Sequence, residues 1–338
     1  MKNRLSYIDL AKAIAIWLVV WGHALSCLAD ENTMKGGSFE WIGNWIYSFH
    51  MPLFMILSGF FASSALQRPI YVMAWSKFRQ LIWPCITFGC ILAVFYRYWN
   101  MNIDALQHGV LFMGLVYDYW FLHCLFANFL IAWVVYRFPR RLQLVVFAVL
   151  FSAICFMFSK GHNLWNMSTM MIPFFVGIES KPFLSKLEQY KILIFVACAI
   201  LFLLMFPLYD SYFNGSTYFF MPFTFIHLCE WLYREVIGIV GSVEVIAFCI
   251  IVVGRFKNYR IIEQILKIGG GTLQVYVIQG VLLECILAHF VNITIDTFLY
   301  RMVFTPLCSI IIVVVCYKIG KLIGKNQYLN KILFWNKQ

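Results

Sequence analysis

Charge is scarce in this chain. Asp, Glu, Lys and Arg make up 12% of its 338 residues, about half the ~25% of an ordinary soluble domain. No stretch is long and polar enough to form a separate soluble domain, so a single membrane-embedded domain over residues 1–338 is expected. Acids are scarcer still, 15 against 26 Lys and Arg. The net charge of +11 would suit nucleic acid. The cations are spread over short loops, however, which membrane topology explains and a nucleic-acid surface does not. The eleven cysteines include no Cys-x-x-Cys pair and no zinc-ligand spacing. They lie in apolar runs, where cysteine acts as a small hydrophobe, and no metal centre is expected. Tandem repeats are absent, as is the inverted symmetry that many transporters carry. Asp9 and Lys12 interrupt what could pass for a signal peptide, and no small-x-small site follows. The N-terminal segment is therefore expected to stay as a helix.

What fills the chain is apolar: 62% hydrophobic residues and a mean hydropathy of +0.80. The fold class that follows is all-α, a polytopic integral membrane protein of the cell inner membrane. Windows of about 20 apolar residues place ten spans near 8–28, 42–66, 80–96, 119–136, 142–158, 165–179, 191–208, 236–254, 268–290 and 300–320. With the N-terminus in the cytoplasm, 20 of the 26 Lys and Arg fall on inner loops and tails, and 5 on outer loops. That asymmetry favours an even number of spans and both termini cytoplasmic. The outer side takes most of the acids, among them Asp30, Glu31, Asp104, Asp210 and Asp296, and a polar, aromatic loop at 209–218. Such a loop suits either an interfacial belt or carbohydrate.

A few polar residues interrupt the spans. Lys12 and His23 are separated by ten residues. Eleven helical steps are close to three turns, so both lie on one face, ~16 Å apart along the axis. Ionisable groups at membrane depth are functional candidates by default. Asp9, three residues before Lys12, can neutralise the cation. Snorkelling of Lys12 and His23 to the two interfaces is the alternative. The second span carries His50 at a depth like that of His23, followed by Pro52 and then Ser58-Gly59, which permit close helix packing. The two histidines could share one polar site, or His50 could bond a neighbouring helix. Lys77 and Arg79 lie at the inner face, where cations suit the phosphates of an anionic ligand as well as the positive-inside rule. Asp118, Tyr119 and Trp120 open the fourth span on the outer side. Glu230 and Arg234 are one turn apart and spaced to pair on a short outer helix. Glu244 and Glu284 sit within apolar spans, where a neutral, hydrogen-bonded acid is the simplest account of each. Gly269-Gly-Gly271 has no βαβ unit around it and is no dinucleotide fingerprint. It suits close backbone approach or a broken helix start.

Taken in order, these residues form a pattern. It runs Asp9-Leu-Ala-Lys-Ala-Ile-Ala-Ile with His23, then Phe49-His-Met-Pro-Leu-Phe with Leu57-Ser-Gly-Phe60, then Trp120-Phe-Leu122. Phe174-Phe-Val-Gly177 and Ile268-Gly-Gly-Gly-Thr-Leu-Gln-Val-Tyr276 complete it. The chain resembles the membrane acyltransferase-3 family, in particular its fucose 4-O-acetylase-like branch, over nearly its whole length. The resemblance implies ten core helices, an acyl donor, usually acetyl-CoA, engaged from the cytoplasm, and a glycan hydroxyl as acceptor on the far side. It makes His23 the base or the acyl carrier, with Lys12, Asp9 and His50 beside the reaction path. It assigns Lys77, Arg79 and Lys12 to the donor, and Asp118, Tyr119, Trp120, Glu230 and Arg234 to the acceptor.

Two departures stand out. Many members carry two arginines three apart after the second span, where this chain has Lys77 and Arg79, two apart. Many also carry a histidine where this chain has Gln279, so any proton chemistry done there in relatives is not done here. The expected function is that of an acetyl-CoA-dependent membrane O-acetyltransferase acting on a cell-surface or exported glycan. The alternative is a non-enzymatic polysaccharide exporter or small-anion transporter. Acyl-CoA, glycan and the lipid bilayer are the expected partners, nucleic acid is not, and a homo-oligomer is left open.

Overall fold

The structure, a computed structural model, describes residues 5–28, 40–99, 118–157, 166–209, 225–291, 293 and 297–335. These residues are overwhelmingly helical. In chain order the principal helices are α1 (Ser6–Cys27), α2 (Glu40–Phe60), α3 (Ile70–Tyr98), α4 (Trp120–Val135), α5 (Arg140–Met157) and α6 (Asn166–Glu179). They continue with α7 (Lys191–Leu208), α8 (Phe225–Phe256), α9 (Arg260–Gly269), α10 (Thr272–Phe290), α11 (Tyr300–Lys325) and α12 (Gln327–Phe334). Three helices are wound as π-helix for part of their length: α3 over Phe78–Ile82, α10 over Gly280–Leu287 and α11 over Tyr300–Phe304. Such widened turns are uncommon and gather at functional sites.

Among the described residues, six helices are long and apolar enough to cross a membrane: α1, α3, α7, α8, α10 and α11. They coincide with six of the ten expected spans. The other four segments are helical as well, but α4 and α6 are short. α2 carries Asn44, Ser48 and His50, and α5 opens on Arg140 and Arg141. Polar side chains in the spans thus lower the apolar count. The outer acids Asp30, Glu31, Asp104, Asp210 and Asp296, and the loop at 209–218 after Tyr209, lie outside the described residues.

The chain forms two compact units interleaved along the sequence. One comprises residues 1–50, 83–119 and 248–338, the other residues 51–82 and 120–247. In the first unit α1 is the central helix. It packs on α9, α10 and α11. Trp21 Nε1 donates to Thr305 Oγ1 at 2.9 Å, Trp17 Nε1 to the Pro306 carbonyl at 3.3 Å and Tyr300 OH to the Ala24 carbonyl at 2.9 Å. These bonds fix the rotation of α1 about its axis, and hence the direction of His23. At the other end of α1 a Cβ on Gly269 would run into the Asp9 carbonyl oxygen. Only glycine allows α9 to end there. The glycine run therefore does both things expected of it, since Gly271 also starts α10. α12 is an amphipathic tail helix capped by Asn326, whose side chain accepts from the amides of Tyr328 and Leu329 at 3.0 and 3.1 Å. It docks on the start of the 83–99 stretch, where Trp83 Nε1 donates to the Ile332 carbonyl at 2.7 Å.

The second unit is built on a reciprocal glycine contact. A Cβ at Gly59 would strike the Phe174 carbonyl, and one at Gly177 would strike the Ile56 carbonyl. The Leu57-Ser-Gly-Phe60 and Phe174-Phe-Val-Gly177 blocks are thus two halves of one backbone-to-backbone packing. Phe129 of α4 lies edge-on to Phe174 at 5.1 Å. Arg137 donates to the carbonyls of Leu66 and Arg68 at 3.2 and 3.1 Å and stacks on Trp133. Arg140 grips Glu179 with two bonds of 2.7 and 2.8 Å, and Tyr136 donates to the same carboxylate. Cysteine behaves as the small hydrophobe expected: Cys85, Cys124, Cys249, Cys285 and Cys316 are fully buried.

Candidate functional site

The polar side chains of the first unit converge on one place. His23 lies near the end of α1, and its Nδ1 is 2.7 Å from Oε1 of Glu284. A third of the His23 side chain stays accessible (33%), against 19% for Glu284. In the arrangement where the Glu284 carboxylate accepts from Nδ1–H, Nε2 is the ring nitrogen left to exchange a proton. Glu284 sits in the π-helical turn of α10, within electrostatic reach of Asp118, Tyr47, Tyr96 and Tyr119. Asp118 accepts from Tyr96 OH at 3.0 Å and lies within electrostatic reach of His23.

His50 belongs to the same cluster. It is 3% exposed, its Nδ1 donates to the Ile46 carbonyl at 2.7 Å and its charge would be felt at His23. The carbonyl fixes the tautomer, so Nε2 of His50 is an acceptor. Tyr47 stands edge-on to His50 at 5.0 Å, and its hydroxyl is 3.1 Å from where a Cβ on Gly22 would be. Tyr119 is buried and donates to the Val277 carbonyl at 2.9 Å, so it braces α10.

Two of the expected residues lie elsewhere in the first unit. Asp9, 8% exposed, and the half-buried Lys12 are at the opposite end of α1. At ~1.5 Å per residue, Lys12 is ~16 Å and Asp9 ~21 Å from His23 along the axis. Direct proton transfer between these residues and His23 is excluded by that distance. In the second unit, Lys77 precedes the π turn of α3 and Arg79 lies within it. Lys77 Nζ lies 3.9 Å from the centre of the Phe129 ring and donates to Gln80 at 3.1 Å. Arg79 lies over Trp75 at 5.9 Å and its Nε is buried with no partner. Trp120 packs edge-on against Phe121 at 6.1 Å. Glu230 and Arg234 are not on a short outer helix. They belong to the 32-residue α8, which begins before the expected span at 236–254. Glu230 has a buried Oε2 with no hydrogen-bond partner.

Glu284 is the residue that sequence reasoning left among ordinary buried acids. Its signal was present, a carboxylate in an apolar span, but its partner is 261 positions away and only the fold joins them. Among the described residues, no three His, Cys, Asp or Glu side chains are grouped to hold a metal ion.

Comparison with known proteins places the chain in a family. A family model described as an acyltransferase domain, of the acyltransferase-3 family, matches residues 5–321. Among curated proteins, the nodulation protein NolL of Sinorhizobium fredii is 34% identical over 139 residues, 38% of this chain and 36% of that protein. The nodulation protein NolL of Mesorhizobium japonicum is 32% identical over 148 residues, 41% of this chain and 38% of that protein. The match therefore spans well under half the length of these relatives. No solved structure matches the chain. With the family pattern present from α1 to α11 and the His23–Glu284 pair at its centre, the chain belongs to the acyltransferase-3 family.

Proposed function

We propose that the protein is a membrane O-acyltransferase, one membrane-embedded domain that moves an acetyl group from cytoplasmic acetyl-CoA to a hydroxyl of an exported or cell-surface glycan. The observation that carries this reading is the 2.7 Å contact between His23 and Glu284. A neutral imidazole whose Nδ1–H is held by a carboxylate is a base with a fixed free nitrogen. His23 Nε2 removes the proton of the acceptor hydroxyl as its oxygen attacks the thioester carbonyl. The new carbon–oxygen bond forms, the carbon–sulfur bond breaks, and His23 returns the proton to the departing sulfur. Glu284 stabilises the imidazolium that exists between these two transfers.

Ten spans with both termini cytoplasmic remain our reading of topology in the cell inner membrane, supported by the distribution of Lys and Arg. In it His23 faces the outer half of the membrane, and Asp9 and Lys12 the inner. Lys77 and Arg79 are proposed as phosphate ligands of the donor, with Lys12 further along the same molecule. The unpartnered Arg79 Nε supports this. Arg137 and Arg140 are poorer candidates, since backbone carbonyls hold one and Glu179 holds the other. Asp118, Tyr119, Trp120, Glu230 and Arg234 are proposed for the acceptor side, with Asp118 the member nearest the dyad. The fucose 4-O-acetylase-like branch makes a sugar hydroxyl the acceptor of choice.

The test is incubation of the purified protein in lipid with acetyl-labelled acetyl-CoA and candidate glycans, followed by analysis of released CoA and labelled glycan. Equal amounts of free CoA and acetylated glycan are expected. Glycan carried across the bilayer with no label transferred would contradict the enzyme and favour an exporter.

A further inference from the structure

Gln279 is 2% exposed, and its Oε1 is buried with no hydrogen-bond partner. Buried polar atoms in native proteins are almost always satisfied, so an orphaned amide oxygen beside a reaction site is explained if a ligand brings the donor. Gln279 is the last residue of the α-helical start of α10, and the π-helical stretch Gly280–Leu287 follows at once. Residues five apart in a π-helix stand one turn apart on one face. Gln279 is therefore one turn before Glu284, the residue that holds His23. Tyr119 fixes this turn. Its hydroxyl donates to the Val277 carbonyl and lies 2.9 Å from where a Cβ on Gly280 would be.

We propose that Gln279 is a donor-binding residue whose side-chain amide pairs with the first amide of the pantetheine arm of acyl-CoA, the one nearest the thioester. The inference rests on the reading of His23 and Glu284 as the acyl-transfer dyad. Two methylenes separate the thioester sulfur from that amide nitrogen, a span comparable to one helical turn, ~5.4 Å. A thioester carbonyl at His23 thus brings the amide level with Gln279. α10 runs outward in the proposed topology, so Gln279 is on the donor side of the dyad. The bond is single and directed: Oε1 of Gln279 accepts the pantetheine N–H, the donor that the buried oxygen lacks. It sets how far the thioester advances.

The experiment measures binding in lipid nanodiscs by titration calorimetry for the wild type, Gln279→Leu and Gln279→Met. The first probe is a non-transferable acetyl-CoA analogue with a methylene in place of the thioester sulfur. The second is the same analogue with the first pantetheine amide replaced by an ester. The third is adenosine 3′,5′-bisphosphate, which has no pantetheine. Both variants should bind the amide analogue about five- to tenfold more weakly than the wild type. They should bind the ester analogue and the bisphosphate as the wild type does. Undiminished affinity of both variants for the amide analogue would overturn the proposal while leaving the acyl-CoA reading intact. Equal weakening for all three probes would overturn it too, because the effect would then be structural. A wild type that binds neither analogue nor bisphosphate would sink the acyl-CoA reading and this inference with it.

Discussion

At the scale of residues, one contact organises the site. Glu284 orients His23 through the 2.7 Å contact at Nδ1 and lies in the cluster that includes Asp118 and Tyr47. Replacing Glu284 by Gln keeps an acceptor for Nδ1–H and removes the charge. The expected result is a loss of acetyl transfer, smaller than that of Glu284→Ala, which frees the ring as well. Wild-type rates for both variants, measured with labelled acetyl-CoA, would mean the carboxylate has no part. The base works only when His23 Nε2 is unprotonated, so the rate should rise with pH through a histidine-like ionisation and level off above it. A profile that falls over that interval would mean that the protonated imidazole is the working form. For the donor, Lys77→Ala with Arg79→Ala should weaken acyl-CoA binding more at low than at high salt, since salt already screens the contact. Unchanged affinity would move the phosphate site elsewhere, to Arg141 first.

This scale also marks what the sequence makes legible. His23, His50 and Asp118 are recognisable as polar groups out of place in apolar helices, and the fold brings all three within electrostatic reach of one another or of Glu284. Glu284 is equally visible but reads as an isolated acid, because nothing in a linear pattern says that position 284 faces position 23. Lys12 shares the face of His23 as the 3.6 period requires, yet lies three turns away from it. Periodicity gives a direction, not a distance to a third element.

At the scale of elements, glycines decide which helices touch. Gly59 and Gly177 each meet a carbonyl of the opposing helix, whereas a Cβ at Gly43 in α2 would meet nothing. Gly59→Ala and Gly177→Ala should each destabilise the protein by ~1–3 kcal/mol through overpacking. Gly43→Ala should be neutral or stabilising by ~0.5–1 kcal/mol, as alanine usually is at a helix position where its Cβ meets open space. Thermal unfolding in detergent checks this, and equal melting temperatures for all three variants would contradict the packing described. The Ser58-Gly59 signal is readable in sequence as close packing, but not its partner. The π turns are not readable at all: they arise where a helix must widen to keep its neighbours in place, and α10 widens at the turn that presents Glu284.

At the scale of the whole molecule, the expected architecture is a ten-span bundle, and among the described residues six helices meet the length and apolarity of a membrane span without help. The other four expected segments are helical: α4 and α6 are short, α2 carries Asn44, Ser48 and His50, and α5 opens on two arginines. Cysteine-accessibility labelling should find positions 36 and 214 outside, and 140 and 258 inside. Labelling of position 140 from the outside would overturn the orientation and the assignment of Lys77 and Arg79 to a cytoplasmic donor.

The most direct test of the account is the rate of acetyl transfer by His23→Ala in lipid, set beside its affinity for acetyl-CoA. General-base catalysis contributes ~10²–10⁴-fold. The account predicts a loss of at least ~10²-fold in transfer, with acetyl-CoA binding and behaviour on purification unchanged. A folded His23→Ala protein that transfers acetyl groups at the wild-type rate would contradict it.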